Sequence, residues 1–417
     1  MKTNLTIIVS GMIAADPWQG GATWAVLQYV LGLRRLGHEV FFIEPVAGKA
    51  LRPAGVALAD SDNARYFKSG WDSYGSCDHA ALLLAGSRET FGLSYAQLQQ
   101  AAARADLLLN ISGMLADENL TAKIPTRVYL DLDPAFNQLW HDVSKIDMRF
   151  GGHTHHVTIG QNIGVESCRR RGDEAQIKIG NRQSAIGNEL ETPHVVTDTG
   201  CPVPTCGFNW LKTWQPVVLE HWPVATRIEH DALTTIAHWR GYGAIDFNGV
   251  NYGQKVHSLR QFISLPTLTE ENFSLALAIH PDETKDLAAL KANRWQLLDP
   301  ARVANTPQTY AEFIRGSKAE FGLAKSGYVN SRCGWFSDRS VCYLASGRPV
   351  IAQDCGFKEL LPTGEGLFAF STSEDVLGAI DLMNSDYARH AKRAREIAVE
   401  FFDSDKVLKR LLENIGL

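Results

Sequence analysis

A chain of 417 residues, 45% hydrophobic and 21% charged, is too long for one comfortable core and too apolar for disorder, so two globular domains with room for a third are expected. Its 41 basic and 46 acidic residues leave a net charge of −5 spread along the chain, which argues against nucleic acid or an anionic membrane as partner. Seven cysteines without a Cys-x-x-Cys pair argue against a disulfide framework and a structural zinc site, and fit a reducing, cytoplasmic setting.

The apolar run over residues 5–15 has the look of a signal peptide. However, Ile7-Ile8-Val9 followed by a glycine-containing loop and a helix is the expected opening of a Rossmann unit. No apolar run reaches the roughly 18 residues of a membrane span, so no transmembrane segment is expected. The N-terminal half reads as a strand over 6–10, a loop over 11–21 and a helix over 23–36. Arg34 and Arg35 suit the last turn of that helix, and Gly37 suits the left-handed residue that ends it. A strand over 40–43 completes one βαβ unit. Strands over 81–84, 107–111 and 128–132 alternate with helices over 95–104 and 118–122, the pattern of a parallel sheet with right-handed crossovers.

From 164 to 199 the pattern gives way to a polar stretch that reads as a surface insertion or lid. Its Arg169-Arg170-Arg171 cluster suits a solvated loop better than a phosphate site. The stretch 203–210, followed by Pro216 and Pro223, reads as the crossing between domains, which bounds an N-terminal domain at 1–215. Alternation then restarts over 216–385. Strands are predicted at 233–237, 273–279, 295–298, 321–324 and 349–353, and helices at 257–263, 284–292, 307–315 and 338–345. Helical runs over 373–383 and 386–415 close the chain, the latter within a terminal segment 386–417. The predicted fold class is α/β, with two Rossmann-like doubly wound parallel-sheet domains facing a cleft.

In such sheets ligands bind beyond the carboxyl ends of the strands, where glycine loops and helix amino ends offer free N–H groups to anions. Gly20-Gly21 would let a phosphate or sugar approach the backbone, or would simply give a connector its freedom. In the second half a long loop over 326–336 leads to Ser337, Asp338, Arg339 and Ser340. Ser337 is a good N-cap, and the helix start it caps is the expected diphosphate site, with side-chain contacts from Arg339 or Ser340. Arg240, after the first strand of this half, and Lys255, before its first helix, are expected to point into the cleft, with Lys325 as a third cation. Alanine at Arg339 or Lys255 is expected to weaken nucleotide binding without unfolding the chain. Asp131 and Asp133 lie at a strand end facing the same cleft. Three roles suit them: general base or oxocarbenium stabiliser, metal ligand, or helix cap. His153, His155 and His156 read as loop or core histidines rather than metal ligands.

Gly20-Gly21, the helix after it and Gly37-His38-Glu39-Val40 together resemble the opening signature of many glycosyltransferases of the GT-B fold. Val203 to Trp210 is similar to their interdomain segment. Gly347-Arg348-Pro349-Val350-Ile351-Ala352 with Gly356, then Glu359 to Phe370, resembles their run near the donor site. The similarity is to the retaining superfamily, group 1 and family-four-like, and Trp335 to Gly347 resembles a variant donor loop of bacterial members. It implies that a nucleotide diphosphate sugar binds the second half and an acceptor binds the first. The acceptor would be a small molecule, a glycan or a lipid-linked species, and no metal or other cofactor would be required. In this superfamily the closing helix crosses back to the N-terminal domain. Its paired glutamates fall at Gly334 and Cys342, and its catalytic histidine would fall near Asp131; none of the three is present. Two rival readings share the architecture: a sugar-nucleotide 2-epimerase or hydrolase, and a degenerate member that binds a glycan or a protein.

Overall fold

Ile7, Ile8 and Val9 are buried on both faces of their strand, the condition of a parallel sheet covered by helices. In a computed structural model describing residues 4–75, 77–164 and 200–417, strand Thr6–Ser10 pairs in parallel with Glu39–Val46 on one side and Leu107–Ile111 on the other. Among the described residues this sheet has eight strands, in the order Thr90–Gly92, Ala80–Leu84, Glu39–Val46, Thr6–Ser10, Leu107–Ile111, Thr126–Asp131, His155–Thr158 and Trp210–Lys212. Only the outermost strand, Thr90–Gly92, is antiparallel. A second sheet has six strands, all parallel, in the order Gln296–Leu298, Phe273–Ala278, His230–His238, Ser317–Gly322, Val350–Gln353 and Leu367–Phe370. Counted along the chain this is 3-2-1-4-5-6, the doubly wound order, which creates a crevice where the order reverses beside its first strand.

Helix Gly20–Arg35 ends as its sequence requires. Gly37 takes a φ of 89°, its N–H donates to Arg34 O, and the N–H of His38 donates to Leu33 O, which is a Schellman motif. The helix packs against both Pro307–Gly316 of the second half and the last helix, Ser404–Asn414. One apolar core therefore runs across the halves, joining Trp24, Trp222, Tyr310, Phe336 and Phe402, and the Trp24 indole N–H donates to Pro307 O at 2.8 Å.

Several predicted elements are corrected. Trp210–Lys212 belongs to the first sheet, so the chain crosses between the sheets after it rather than over 203–210. The loop expected over 326–336 begins with a short helix, Ser326–Ser331. The terminal helix expected over 386–415 is broken into Tyr387–Ile397, a π-helical turn Ala398–Phe402, and Ser404–Asn414, because Asp403 caps the last of these through the N–H of Asp405 at 3.1 Å. The break seats Phe402 in the core and lets Val217 N–H donate to Phe402 O at 2.7 Å, tying the crossing segment to the returning one. The expected insertion and its Arg169-Arg170-Arg171 cluster lie outside the described residues.

Candidate functional site

The crevice beside strand His230–His238 opens into a cavity of about 470 Å³ between the halves. The second half contributes His238, Lys255, Tyr310, Asp338 and Arg339; the first contributes Pro17, Trp18, Gln19 and Gly21. Of the residues singled out in the sequence, the cavity thus gathers Gly21, Lys255, Asp338 and Arg339.

Lys255 begins helix Lys255–Gln261 and has neither a hydrogen bond nor an ion pair among the described residues. Burial, then the positive charges of Arg339 and Lys325, push its pKa well below the ordinary lysine value. Arg339 is 6% exposed and held by Glu320 (Nε to Oε1, 2.6 Å) and by Ile236 O (Nη1, 2.7 Å), while its Nη2 has no partner. Ser337 caps helix Asp338–Ala345 by accepting the N–H of Arg339 at 3.2 Å, and Ser340 is buried in its first turn. Two basic side chains therefore line one cavity beside a helix start and the Asp338 carboxylate, Lys255 without a partner among the described residues and Arg339 with one unpaired nitrogen. That arrangement suits an anion carrying more than one charge.

Arg240 is placed differently from its prediction. Trp239 takes the buried position after the strand, donating to Asp286 at 3.1 Å, and Arg240 lies on the outside, paired with Glu283. The residue that does enter the cavity from this strand end is His238, which pairs across the cleft with Gln19 Oε1 at 3.2 Å. Partial burial and the nearby Lys255 hold its pKa below the usual histidine value. Sequence reasoning passed over it because a lone histidine at a strand end carries no pattern.

The two glycines of the first loop serve contact between the halves. A Cβ on Gly20 would overlap the backbone oxygen of Thr306, and the Gly20 N–H already donates to Ala304 O at 3.0 Å. A Cβ on Gly21 would stand 2.8 Å from the Tyr310 ring. Neither glycine has a positive φ, and close approach of the second half, rather than backbone freedom, is what requires them. Gly334, the position matching a donor glutamate, also sits at the junction of the halves. Its φ is 76°, its N–H donates to Cys355 O at 2.7 Å, and a Cβ there would meet Gln161 and Asn162 at 3.0 Å.

Asp131 is fully enclosed. Its carboxylate accepts from Asn137 (2.6 Å), Gln138 (2.9 Å), Thr158 (2.8 Å) and the N–H of Asp133 (3.0 Å). Burial lifts its pKa to about 6 in spite of those bonds. Asp133 instead meets the second half: it pairs with Lys325 at 3.1 Å and accepts from the hydroxyls of Tyr242 (2.8 Å) and Tyr328. The Lys325 ammonium stands over the rings of Tyr242 (4.3 Å), Phe136 (5.0 Å) and Tyr328 (5.2 Å). This cluster joins the halves and leaves Lys325 fully occupied. His156 is buried and its ring Nε2–H donates to Phe150 O at 2.8 Å, and His153 contacts Asn110, so both are structural in placement. Among the described residues no cluster of three metal-ligating side chains occurs.

A larger cavity, about 880 Å³, lies within the first half beyond strands Glu39–Val46, Ala80–Leu84 and Leu107–Ile111, with Arg88, Tyr95, Ser112, Asp117 and Arg149 on its walls. Nothing in the sequence reading marked it. Its residues come from separate strand ends, loops and helix starts, brought together by the sheet order.

No family model and no curated protein matches the sequence. Solved structures do match the fold. HepE from Anabaena in complex with UDP and glucose is 12% identical, with a TM-score of 0.57 over 99% of this chain and 100% of that chain. The same protein with UDP-glucose gives 13% identity and a TM-score of 0.56 over 98% and 99%. An alpha-glucosyltransferase in complex with UDP and a 13-mer DNA gives 10% and 0.54 over 99% of each chain. With two doubly wound parallel-sheet halves facing a cleft, matched over almost its whole length by these structures, the chain has the GT-B fold.

Proposed function

We propose that the chain is a glycosyltransferase that takes a sugar from a nucleotide diphosphate sugar held in the cleft cavity and passes it to an acceptor held by the first half. The observation that carries this reading is the pair of under-used cations, Lys255 and Arg339, at the crevice beside the first strand of the second sheet. A departing nucleoside diphosphate gains charge in the transition state, and preorganised cations stabilise that charge without a divalent metal. UDP and UDP-glucose in the fold neighbours support a nucleotide sugar as the donor class. The cavity of about 880 Å³ is the proposed acceptor side, for a small molecule, a glycan or a lipid-linked species. Among the described residues no helix is long and apolar enough to cross a membrane.

Asp131 and Asp133 have no free oxygen facing the cavity, and in this reading they hold the architecture rather than move a proton. The test is turnover of a panel of sugar nucleotides with and without candidate acceptors, followed by the release of nucleoside diphosphate and the appearance of a glycosylated product. Acceptor-dependent release supports the proposal. A free epimerised sugar formed without any acceptor would instead identify an epimerase.

A further inference from the structure

The wall of the cavity supplied by the first half is built around one aromatic residue. Trp18 lines the cavity, is 44% exposed, and has a φ of 71°. A bulky side chain in the left-handed region is strained and persists only where its surroundings enforce it. Here they do. The buried Glu44 carboxylate accepts the N–H of Ala14 at 2.8 Å and that of Ala15, and Asn63 Nδ2 donates to Ala14 O at 2.7 Å. Asp16 pairs with Arg52 at 2.7 Å, and the Tyr66 ring meets the indole edge-on at 5.0 Å. The next residue, Gln19, reaches His238 across the cleft. A large, half-exposed ring is thus fixed at the cavity wall opposite Lys255 and Arg339, by a loop secured from behind.

Taking the nucleotide-sugar reading as its basis, we infer that Trp18 is the platform on which the sugar ring of the donor stacks, and that it distinguishes the sugar nucleotide from the bare nucleotide. With the diphosphate fixed on the cations of the second half, the sugar is the part that must reach toward the first half, where the acceptor waits. The C–H face of a neutral hexose is apolar and fits an indole, whereas the charged diphosphate does not.

The experiment is titration calorimetry of the full chain with UDP and with UDP-glucose, for wild type, Trp18→Ala and Trp18→Phe. The inference expects Trp18→Ala to weaken UDP-glucose by about tenfold, the scale of one aromatic stacking contact, to leave UDP within about twofold, and Trp18→Phe to recover most of the loss. Equal loss for both probes, or no loss for either, overturns the stacking role while leaving the nucleotide site intact. A wild-type chain that binds neither probe overturns the nucleotide-sugar reading, and the role of Trp18 with it.

Discussion

Glu44 and Arg339 show how single buried charges are tied to this cleft. Burial raises the Glu44 carboxyl to about 7 against the N–H bonds of Ala15 and Ala14, so the folded chain holds a proton there that the unfolded chain has released. A raised acid pKa contributes stability that is present below the unfolded value and is lost as pH rises through the folded value. The window therefore runs from about 4.5 to about 7 for Glu44, while Asp131 contributes over the lower part, ending near 6. Denaturant titration of Glu44→Gln across that range is expected to flatten the upper part of the decline, by at most about 3 kcal/mol. An unchanged pH profile would show that Glu44 titrates normally. Arg339 corrects an expectation from the sequence: with Glu320 fully buried beneath it, Arg339→Ala strands a carboxylate. A cost of about 3 to 5 kcal/mol in stability is expected, measured by the same titration, so this variant cannot report on nucleotide binding alone.

At the scale of elements, the helix Gly20–Arg35 is the piece on which the cleft is built, since its amino end touches the second half and its carboxyl end the returning tail. Gly20→Ala puts a methyl group against the Thr306 peptide. A loss of about 2 kcal/mol or more is expected, because backbone on both sides cannot yield as a side chain does; a thermal midpoint equal to wild type would mean the halves stand further apart. How much of this was legible follows from the kind of signal each element carries. The buried strands and the Gly37 helix stop were legible, being runs of apolar residues and a glycine at a fixed place. Helix Asp62–Tyr74, capped by Ser61, was passed over because its buried Phe67 and Trp71 are diluted by charged neighbours. The hairpin Ile245–Phe247 and Val250–Tyr252 was also missed, although Asn248-Gly249 between its strands, both at positive φ, is a strong turn signal. Of the site, the cations at Lys255 and Arg339 were legible from their positions after strands and before helices. His238 and Trp18 were not: His238 is notable for Gln19, which it meets from the other half, and Trp18 for the cavity between the halves that it lines.

For the whole molecule the decisive feature is how the halves are held together. Besides the shared apolar core, Asp133 and Lys325 form a bridge surrounded by Tyr242, Tyr328 and Phe136, and Asn162 donates to Arg332 O at 2.8 Å. The bridge is partly exposed, so Asp133→Asn is expected to cost about 1 to 2 kcal/mol rather than the full penalty of a buried pair. A double-mutant cycle with Lys325→Met isolates the pair itself, and a coupling energy near zero would remove it as a clasp.

The central claim is that the cleft cavity binds a nucleoside diphosphate through Lys255. Titration of UDP into wild type and Lys255→Met, repeated from neutral to alkaline pH, tests it most directly. Because Lys255 carries its proton less readily than an ordinary lysine, a bound diphosphate should draw a proton onto it. The expected result is wild-type affinity that falls as pH rises, and a Lys255→Met variant that is folded, binds at least about tenfold more weakly and has lost that pH dependence. Equal affinity in the two proteins at every pH would contradict it.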